Sequence, residues 1–300
     1  MNVLIIGFGS IGKRHFSILS KMKKIKNIKI CTNTYISSTL KIDLDSKKIK
    51  EFNPDYIIIS SQTSDHLKHL SFINKTLNNK VILVEKPIFH SKNIKLLSNK
   101  NNKIFIGYNL RFDPMILYLK KFFNNKNLKK LLNVTAYCGS YLPNWRNNIN
   151  YKSNYSSSKK RGGGVEFDLS HEFDYIDWIF GKFKTIKKIK SKISSLEINS
   201  NDFLLLIGKF SKNKYLNISL NYFSKINLRF LIIETNDYTL KVDLIKREIH
   251  QMKLGSKKSS LKKFIITKDY TYRKMHSSII NSDYKYLCTF NNAIRVLSYT

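Results

Sequence analysis

The chain has 300 residues, with 54 Lys and Arg against 20 Asp and Glu and a formal net charge of +34. Hydrophobic residues make up 42% and aromatic residues 13%, too many for a disordered polycation, and the length suits at least two ordinary domains. No apolar run approaches the ~18 residues of a membrane span, no charged leader precedes an apolar segment at the start, and Cys31, Cys138 and Cys288 are too scattered for a disulfide framework or a metal site. The chain reads as a soluble, reduced, cytoplasmic protein.

In chain order, Asn2–Ile6 reads as a buried strand. Gly7-Phe8-Gly9-Ser10-Ile11-Gly12 follows, then a helical stretch carrying Ile11, Phe16, Ile18 and Leu19. This is G-x-G-x-x-G between a strand and a helix. The first glycine permits the tight turn, the second lets backbone approach a pyrophosphate, and the third lets helix and strand pack closely at a helix N-terminus that favours anions. These six residues are the candidate cofactor loop. Further strands near Ile28–Thr32, Tyr56–Ser60 and Val81–Val84, with a helix over Ser64–Leu77, complete a βαβ rhythm and a doubly wound parallel sheet. Thr32 and Ser61 at strand ends join the cofactor-binding candidates. The second strand ends in Cys31-Thr32-Asn33-Thr34, without the acid that pairs a ribose 2′-hydroxyl. NAD and NADP both remain open, and repulsion against a 2′-phosphate is absent.

Val81–Val84 runs into Glu85-Lys86-Pro87. Lys86 stands at the carboxyl end of a strand, on the side where such sheets bind ligands. Its ammonium can stabilise a developing alkoxide, and Pro87 fixes the bend, with a cis bond there able to aim Lys86. After Gly162-Gly163-Gly164 a helix is expected to about Phe180, with Leu169, Phe173, Ile176 and Phe180 on one face and Asp168, His171, Glu172 and Tyr175 on the other. Asp168 and His171, three apart, are expected to meet, and the histidine suits proton transfer. From Lys184 onward, β-rich runs without helices (Ile186–Ile193, Phe203–Phe210, Tyr215–Phe223, Arg229–Glu234, Tyr238–Leu244, Glu248–Leu254) read as an antiparallel sheet. Lys274–Thr300 reads as helix.

The charge has two readings. A polyanion binder would lean on arginine for bidentate contacts, yet only 8 of the basic residues are arginine and alanine occurs only twice. Lys, Asn and Ile are abundant, as AT-rich codons would make them, so the excess reads as compositional drift rather than specific nucleic-acid recognition. Against that drift the kept glycines stand out: six of 11 lie in the two glycine turns.

These motifs in this order, Gly7 to Gly12, Glu85-Lys86-Pro87, and Gly162-Gly163-Gly164-Val-Glu-Phe-Asp168 with His171, resemble the Gfo/Idh/MocA oxidoreductases. Gly107-Tyr108-Asn109-Leu110-Arg111-Phe112-Asp113-Pro114 is similar to that family's connection between domains. Tyr141-Leu-Pro-Asn-Trp145-Arg146, followed by Tyr151 and Tyr155, is similar to members linked to surface-polysaccharide sugar synthesis. The resemblance spans most of the chain. It implies a Rossmann domain over 1–117 and, over 118–300, an α+β domain with a mostly antiparallel open sheet, the latter often used for oligomer contacts. It implies hydride transfer between NAD or NADP and a hydroxyl or keto carbon of a sugar or nucleotide-sugar. Lys86, His171 and Asp168 are then the catalytic candidates, Glu85 and Lys86 also border the cofactor, and Tyr108, Asn109, Arg111, Trp145 and Glu172 are the substrate candidates. Arg111 suits either a substrate anion or an interdomain salt bridge. Trp145 and Arg146 suit either a lid or a packed loop anchor. In many members the histidine lies four residues after the aspartate, the place of Glu172 here; the one-residue shift turns the imidazole by ~100°, so His171, Glu172 and Lys86 all stay open as the acid/base. The shifted histidine also leaves a non-catalytic NAD(P)-binding protein as the alternative. A homo-oligomer is expected.

Overall fold

A computed structural model describes residues 1–91, 101–146 and 150–300. The N-terminal segment builds β1 (Asn2–Ile6), α1 (Ser10–Leu19), β2 (Asn27–Cys31), α2 (Ser46–Phe52), β3 (Tyr56–Ile59), α3 (His66–Thr76), β4 (Val81–Val84) and β5 (Lys103–Ile106). Asp113 then starts a new segment: its carboxylate accepts from the Met115 N–H at 2.8 Å, and Pro114 opens the helix. That segment holds α4 (Pro114–Phe122), α5 (Asn125–Lys129), β6 (Leu131–Gly139), α6 (Val165–Asp168), α7 (His171–Phe180), β7 (Lys184–Ser191), β8 (Phe203–Ser211), β9 (Lys214–Asn221), β10 (Leu228–Thr235), β11 (Tyr238–Asp243), β12 (Glu248–Lys253) and β13 (Ser260–Lys263). The chain ends with α8 (Tyr270–Ile280), β14 (Cys288–Thr289) and α9 (Phe290–Tyr299).

Two units result, Met1–Phe112 with Asp269–Ser298, and Asp113–Lys268 with Tyr299–Thr300. The expected division at 117/118, with everything after it in the second domain, differs from this. Residues 269–298 belong with the first sheet because their apolar residues are buried in its core: Met275, Ile279 and Leu287 join Val3, Ile5, Leu19, Tyr56, Ile58 and Leu83. The expected single helix over Lys274–Thr300 is two helices, and the short β14 between them pairs with β5 through Cys288↔Ile106 and Thr289↔Phe105, covering an edge that would otherwise stand open.

The first sheet runs β14-β5-β4-β3-β1-β2, parallel except for β14. β1, β3 and β4 are near-continuous apolar runs, as strands covered on both faces require. The order reverses between β1 and β3, so the turns leaving those two strands flank the switch point where doubly wound sheets bind ligands. The second sheet runs β13-β12-β11-β10-β6-β9-β8-β7, antiparallel except for the β6–β9 pair. β6, which the sequence reading did not single out, is central to it. Val134 and Ala136 of β6, Ile218 of β9 and Leu231 of β10 face the core; on the other face Tyr137 stacks on Phe230 at 5.4 Å, and Ile189 and Ile207 are exposed. The sheet is therefore open on one side. Among the described residues no helix is long and apolar enough to cross a membrane.

Candidate active site

The glycine turn takes its shape from backbone packing. Gly7 has φ +92°, and a Cβ there would lie 2.5 Å from the Ser61 amide nitrogen. A Cβ on Gly12 would lie 2.2 Å from the Gly7 carbonyl oxygen. The turns after β1 and β3 are thus pressed together at the switch point, and only glycine fits. Gly9, which caps α1, differs: a Cβ built there meets nothing within 4 Å. The first turn of α1 carries no acidic residue, so its outward N–H groups and dipole favour an anion beside Ser10 and Ile11. Phe8 packs edge-on against Phe16. Thr32 follows β2 and accepts from the Thr34 N–H at 3.1 Å, and burial with the nearby Asp43 carboxylate raises the pKa of Cys31 at that strand end. Ser61 is 2.8 Å from the His69 ring. The glycine turn and the first turn of α1 fit a dinucleotide phosphate.

At the end of β4 the Lys86–Pro87 bond is cis. Lys86 is half-buried. Glu85, expected at the cofactor, is 6% exposed and faces inward: its Oε1 is 3.0 Å from His15 Nε2, and its Oε2 accepts from the Lys86 N–H at 3.2 Å. Pro87 and Ile88 are tied to the β3 turn by His66, whose Nδ1 lies 3.1 Å from the Pro87 oxygen and 3.2 Å from the Ile88 oxygen, and whose Nε2 lies 3.1 Å from the Ser61 oxygen. Burial holds the pKa of His66 below the usual imidazole range, with the surrounding carbonyls pulling the other way. His15 and His66 were not singled out in the sequence. His15 has a signal in hindsight, as a polar residue on the buried side of α1 beside Gly12, Ile18 and Leu19.

Tyr108, Asn109 and Arg111 are all buried. Asn109 donates to Thr271 Oγ1 at 2.6 Å, and Arg111 donates to the Leu287 oxygen at 3.3 Å and to Asn292 Oδ1 at 3.4 Å. The Arg111 guanidinium, considered for a substrate anion or an interdomain bridge, is 2% exposed and bonds within its own unit to the returning C-terminal segment.

In the second unit the expected helix from Gly164 to Phe180 breaks at Leu169 and Ser170 into α6 and α7. Asp168 closes one helix and His171 opens the next, so the i, i+3 spacing within one helix does not apply. Asp168 is buried, and its oxygens accept from Tyr155 at 2.8 Å and Tyr222 at 2.5 Å. The neighbouring Asp168 charge, with burial, pushes the Tyr155 phenol well above its usual range; burial, then Asp168, does the same to Tyr222. Both tyrosines therefore stay protonated and donate. Trp145 packs edge-on against Tyr222 at 5.2 Å and donates to Ser140 Oγ at 2.8 Å, while Arg146 lies over the Tyr155 ring. The Trp145 loop is therefore anchored to the Asp168 group. His171 is half-buried. Glu172 is fully buried and paired with Arg229 Nε at 2.6 Å, with the Tyr175 hydroxyl donating at 3.3 Å. Its other oxygen, Oε2, is buried without a hydrogen-bond partner among the described residues. The sequence reading assigned Tyr222 and Arg229 only to β-rich runs, and it noted Tyr155 only as part of a tyrosine-rich loop. Among the described residues no group of three or more His, Cys, Asp or Glu is placed to hold a metal ion.

No protein-family model matches the chain, and no curated protein matches it in sequence. Its fold is shared with solved oxidoreductases. The WlbA dehydrogenase from Bordetella pertussis, solved with NADH and UDP-GlcNAcA, superposes with a TM-score of 0.79 at 14% identity, covering 99% of this chain and 93% of that one. Levoglucosan dehydrogenase, solved with NADH and levoglucosan, gives 0.79 at 13% identity, with coverage of 99% and 94%. UDP-N-acetylglucosamine 3-dehydrogenase GnnA from Acidithiobacillus ferrooxidans gives 0.74 at 14% identity, with coverage of 99% and 94%. The two-unit architecture with a mostly parallel and a mostly antiparallel sheet is therefore that of these dehydrogenases.

Proposed function

We propose that the chain is an NAD(P)-dependent oxidoreductase that moves a hydride between nicotinamide and a hydroxyl or keto carbon of a sugar or nucleotide-sugar. The observation that carries this is the dinucleotide turn at the β1/β3 switch point with Lys86 at the end of β4, in a fold shared over 99% of the chain with sugar and nucleotide-sugar dehydrogenases. A bound nicotinamide supplies or takes up the hydride. The glycine turn and the first turn of α1 hold phosphate, and the dinucleotide is NAD or NADP. The Lys86 ammonium hydrogen-bonds the reacting oxygen and stabilises its negative charge. Asp168, held by two protonated tyrosines, is a fixed acceptor for a sugar hydroxyl, and His171 beside it in sequence carries the proton. The pairing of Glu172 with Arg229 gives it a supporting role and favours His171 over Glu172 as acid/base.

The same reading makes the protein cytoplasmic, in keeping with three cysteines that form no disulfide, and without specific nucleic-acid binding. The open sheet face with its Tyr137–Phe230 stack supports self-association. Lys86→Ala tests the core of the proposal: turnover on nucleotide-sugars and free sugars should fall about 10²–10³-fold, while NAD(P)H affinity by fluorescence changes less than about threefold. Retained turnover would remove Lys86 from the chemistry. Cofactor binding by the unaltered protein with no turnover across the panel would favour the non-catalytic alternative.

A further inference from the structure

Behind Lys86 lies a run of four buried polar side chains drawn from four elements. Glu85, at the end of β4, meets His15 of α1 at 3.0 Å; His15 Nδ1 meets His276 Nε2 of α8 at 2.9 Å; His276 Nδ1 meets the Tyr56 hydroxyl of β3 at 3.0 Å. His15, His276 and Tyr56 are fully buried and Glu85 nearly so. The two imidazoles stand nearly perpendicular, 5.0 Å apart at 81°.

The protons in this run have one consistent arrangement when both rings are neutral. A carboxylate only accepts, so His15 Nε2 carries a hydrogen and Nδ1 accepts. His276 must then donate from Nε2 and accept at Nδ1, where the Tyr56 O–H donates. Every hydrogen points toward Glu85. Burial and the Glu85 charge keep Tyr56 protonated, and burial keeps His276 neutral. The run ends on Glu85 Oε1, while Oε2 takes the Lys86 N–H. Gly107 lies so close that a Cβ there would sit 2.7 Å from Oε1, so the carboxylate is gripped on several sides.

We propose that Tyr56, His276 and His15 form a directional positioning relay that orients Glu85 and, through the Glu85–Lys86 amide bond, the turn that presents Lys86. α8, from the C-terminal segment that returns to the first unit, supplies His276, the middle member of the relay. An added proton would break it. With His15 protonated, Nδ1 must donate to His276, His276 must turn its hydrogen toward the Tyr56 oxygen, and the Tyr56 hydrogen loses its buried acceptor. The charged and titratable groups around His15 are Glu85 from β4, His276 from α8 with Tyr56 behind it, and Tyr272 of α8, whose ring centroid lies 5.5 Å from that of His15 and under Arg14, itself paired with Asp269 at 3.3 Å. The effect on catalysis rests on the role proposed for Lys86; the proton arrangement does not.

The test uses the whole chain. Long-range ¹H–¹⁵N spectra at pH 7.5 should show both His15 and His276 protonated on Nε2 alone, and Tyr56→Phe should shift the Lys86 backbone amide resonance. In Tyr56→Phe and His276→Ala, kcat should fall about tenfold with KM within about twofold, and the acid limb of the kcat profile should move to higher pH. His276→Gln, which can still donate and accept, should restore part of kcat. Tyr56→Phe removes a single oxygen and keeps the test available if His276→Ala does not fold. Protonation of His15 on Nδ1, mixed tautomers, or an unmoved Lys86 amide would overturn the relay, as would an unchanged kcat profile in a folded Tyr56→Phe enzyme. The expected tautomers and amide shift without turnover on any sugar would leave the relay standing and overturn the enzymatic reading instead.

Discussion

Glu85 in the first unit and Glu172 and Asp113 in the second are buried carboxylates held by different means. In the first, Glu85 is met by an imidazole and a backbone amide. In the second, Glu172 is paired with the guanidinium of Arg229, and Asp113 is gripped by both terminal nitrogens of Arg247 at 2.6 and 2.9 Å. Neutral donors satisfy a carboxylate's hydrogen bonds while leaving its charge in place; a guanidinium satisfies them and cancels it. With His15 neutral, as in the proposed relay, the first arrangement leaves a negative charge behind the strand end that carries Lys86. The second builds rigid struts. Asp168 is held by tyrosine hydroxyls, which set its orientation.

Breaking a strut should have the largest effect on stability. Arg229→Met leaves the fully buried Glu172 carboxylate without its cation and is expected to cost about 3–5 kcal/mol in a denaturant melt; adding Glu172→Gln should return much of that loss. If Arg229→Met costs under about 1 kcal/mol, the pair is no strut and the contrast between the units fails. Removing one donor from Asp168 should cost less: Tyr222→Phe about 1.5–3 kcal/mol, and the half-buried Tyr155→Phe less than Tyr222→Phe. An equal cost at both positions would mean that burial does not set the strength of these bonds. The smallest and most graded effect is that of pH on the first unit. Burial depresses the pKa of His66, and burial with the neighbouring His15 depresses that of His276, so the folded state keeps them neutral while the unfolded chain takes up protons below about pH 6.5. Stability is then fully present above that pH and is lost as pH falls toward the folded pKa values. The limiting slope is about 1.4 kcal/mol per pH unit for each histidine. Thermal melts from pH 7.5 to pH 5 should show it, and His66→Gln should flatten it; an unchanged slope in that variant would assign the dependence elsewhere.

What could be read from the sequence follows from how local each interaction is. The turn from Gly7 to Gly12, the strand-end placement of Lys86 and the alternating strands from Phe203 to Leu254 depend on residues adjacent in the chain. Their partners are distant: Tyr222 reaches Asp168 across 54 residues, Arg229 reaches Glu172 across 57, and His276 reaches His15 across 261. Asp168 and His171 show the limit of periodicity. Their spacing suits one helix, but α6 ends at Asp168 and α7 begins at His171. Arg111 shows the limit of residue type: an arginine beside a motif invites a substrate anion, and here it bonds to Leu287 and Asn292.

By itself the sequence determined the class of the first sheet, its glycine turn, the β character of the second sheet and the candidate lysine, because strand period and glycine geometry act within a few residues. Only the tertiary structure decided that residues 269–298 complete the first unit, that Glu85 points inward to a pair of histidines, and that Glu172 is paired with Arg229. Those outcomes depend on which buried polar group finds a partner once the apolar surfaces have packed, and a buried group must find one wherever in the chain it lies.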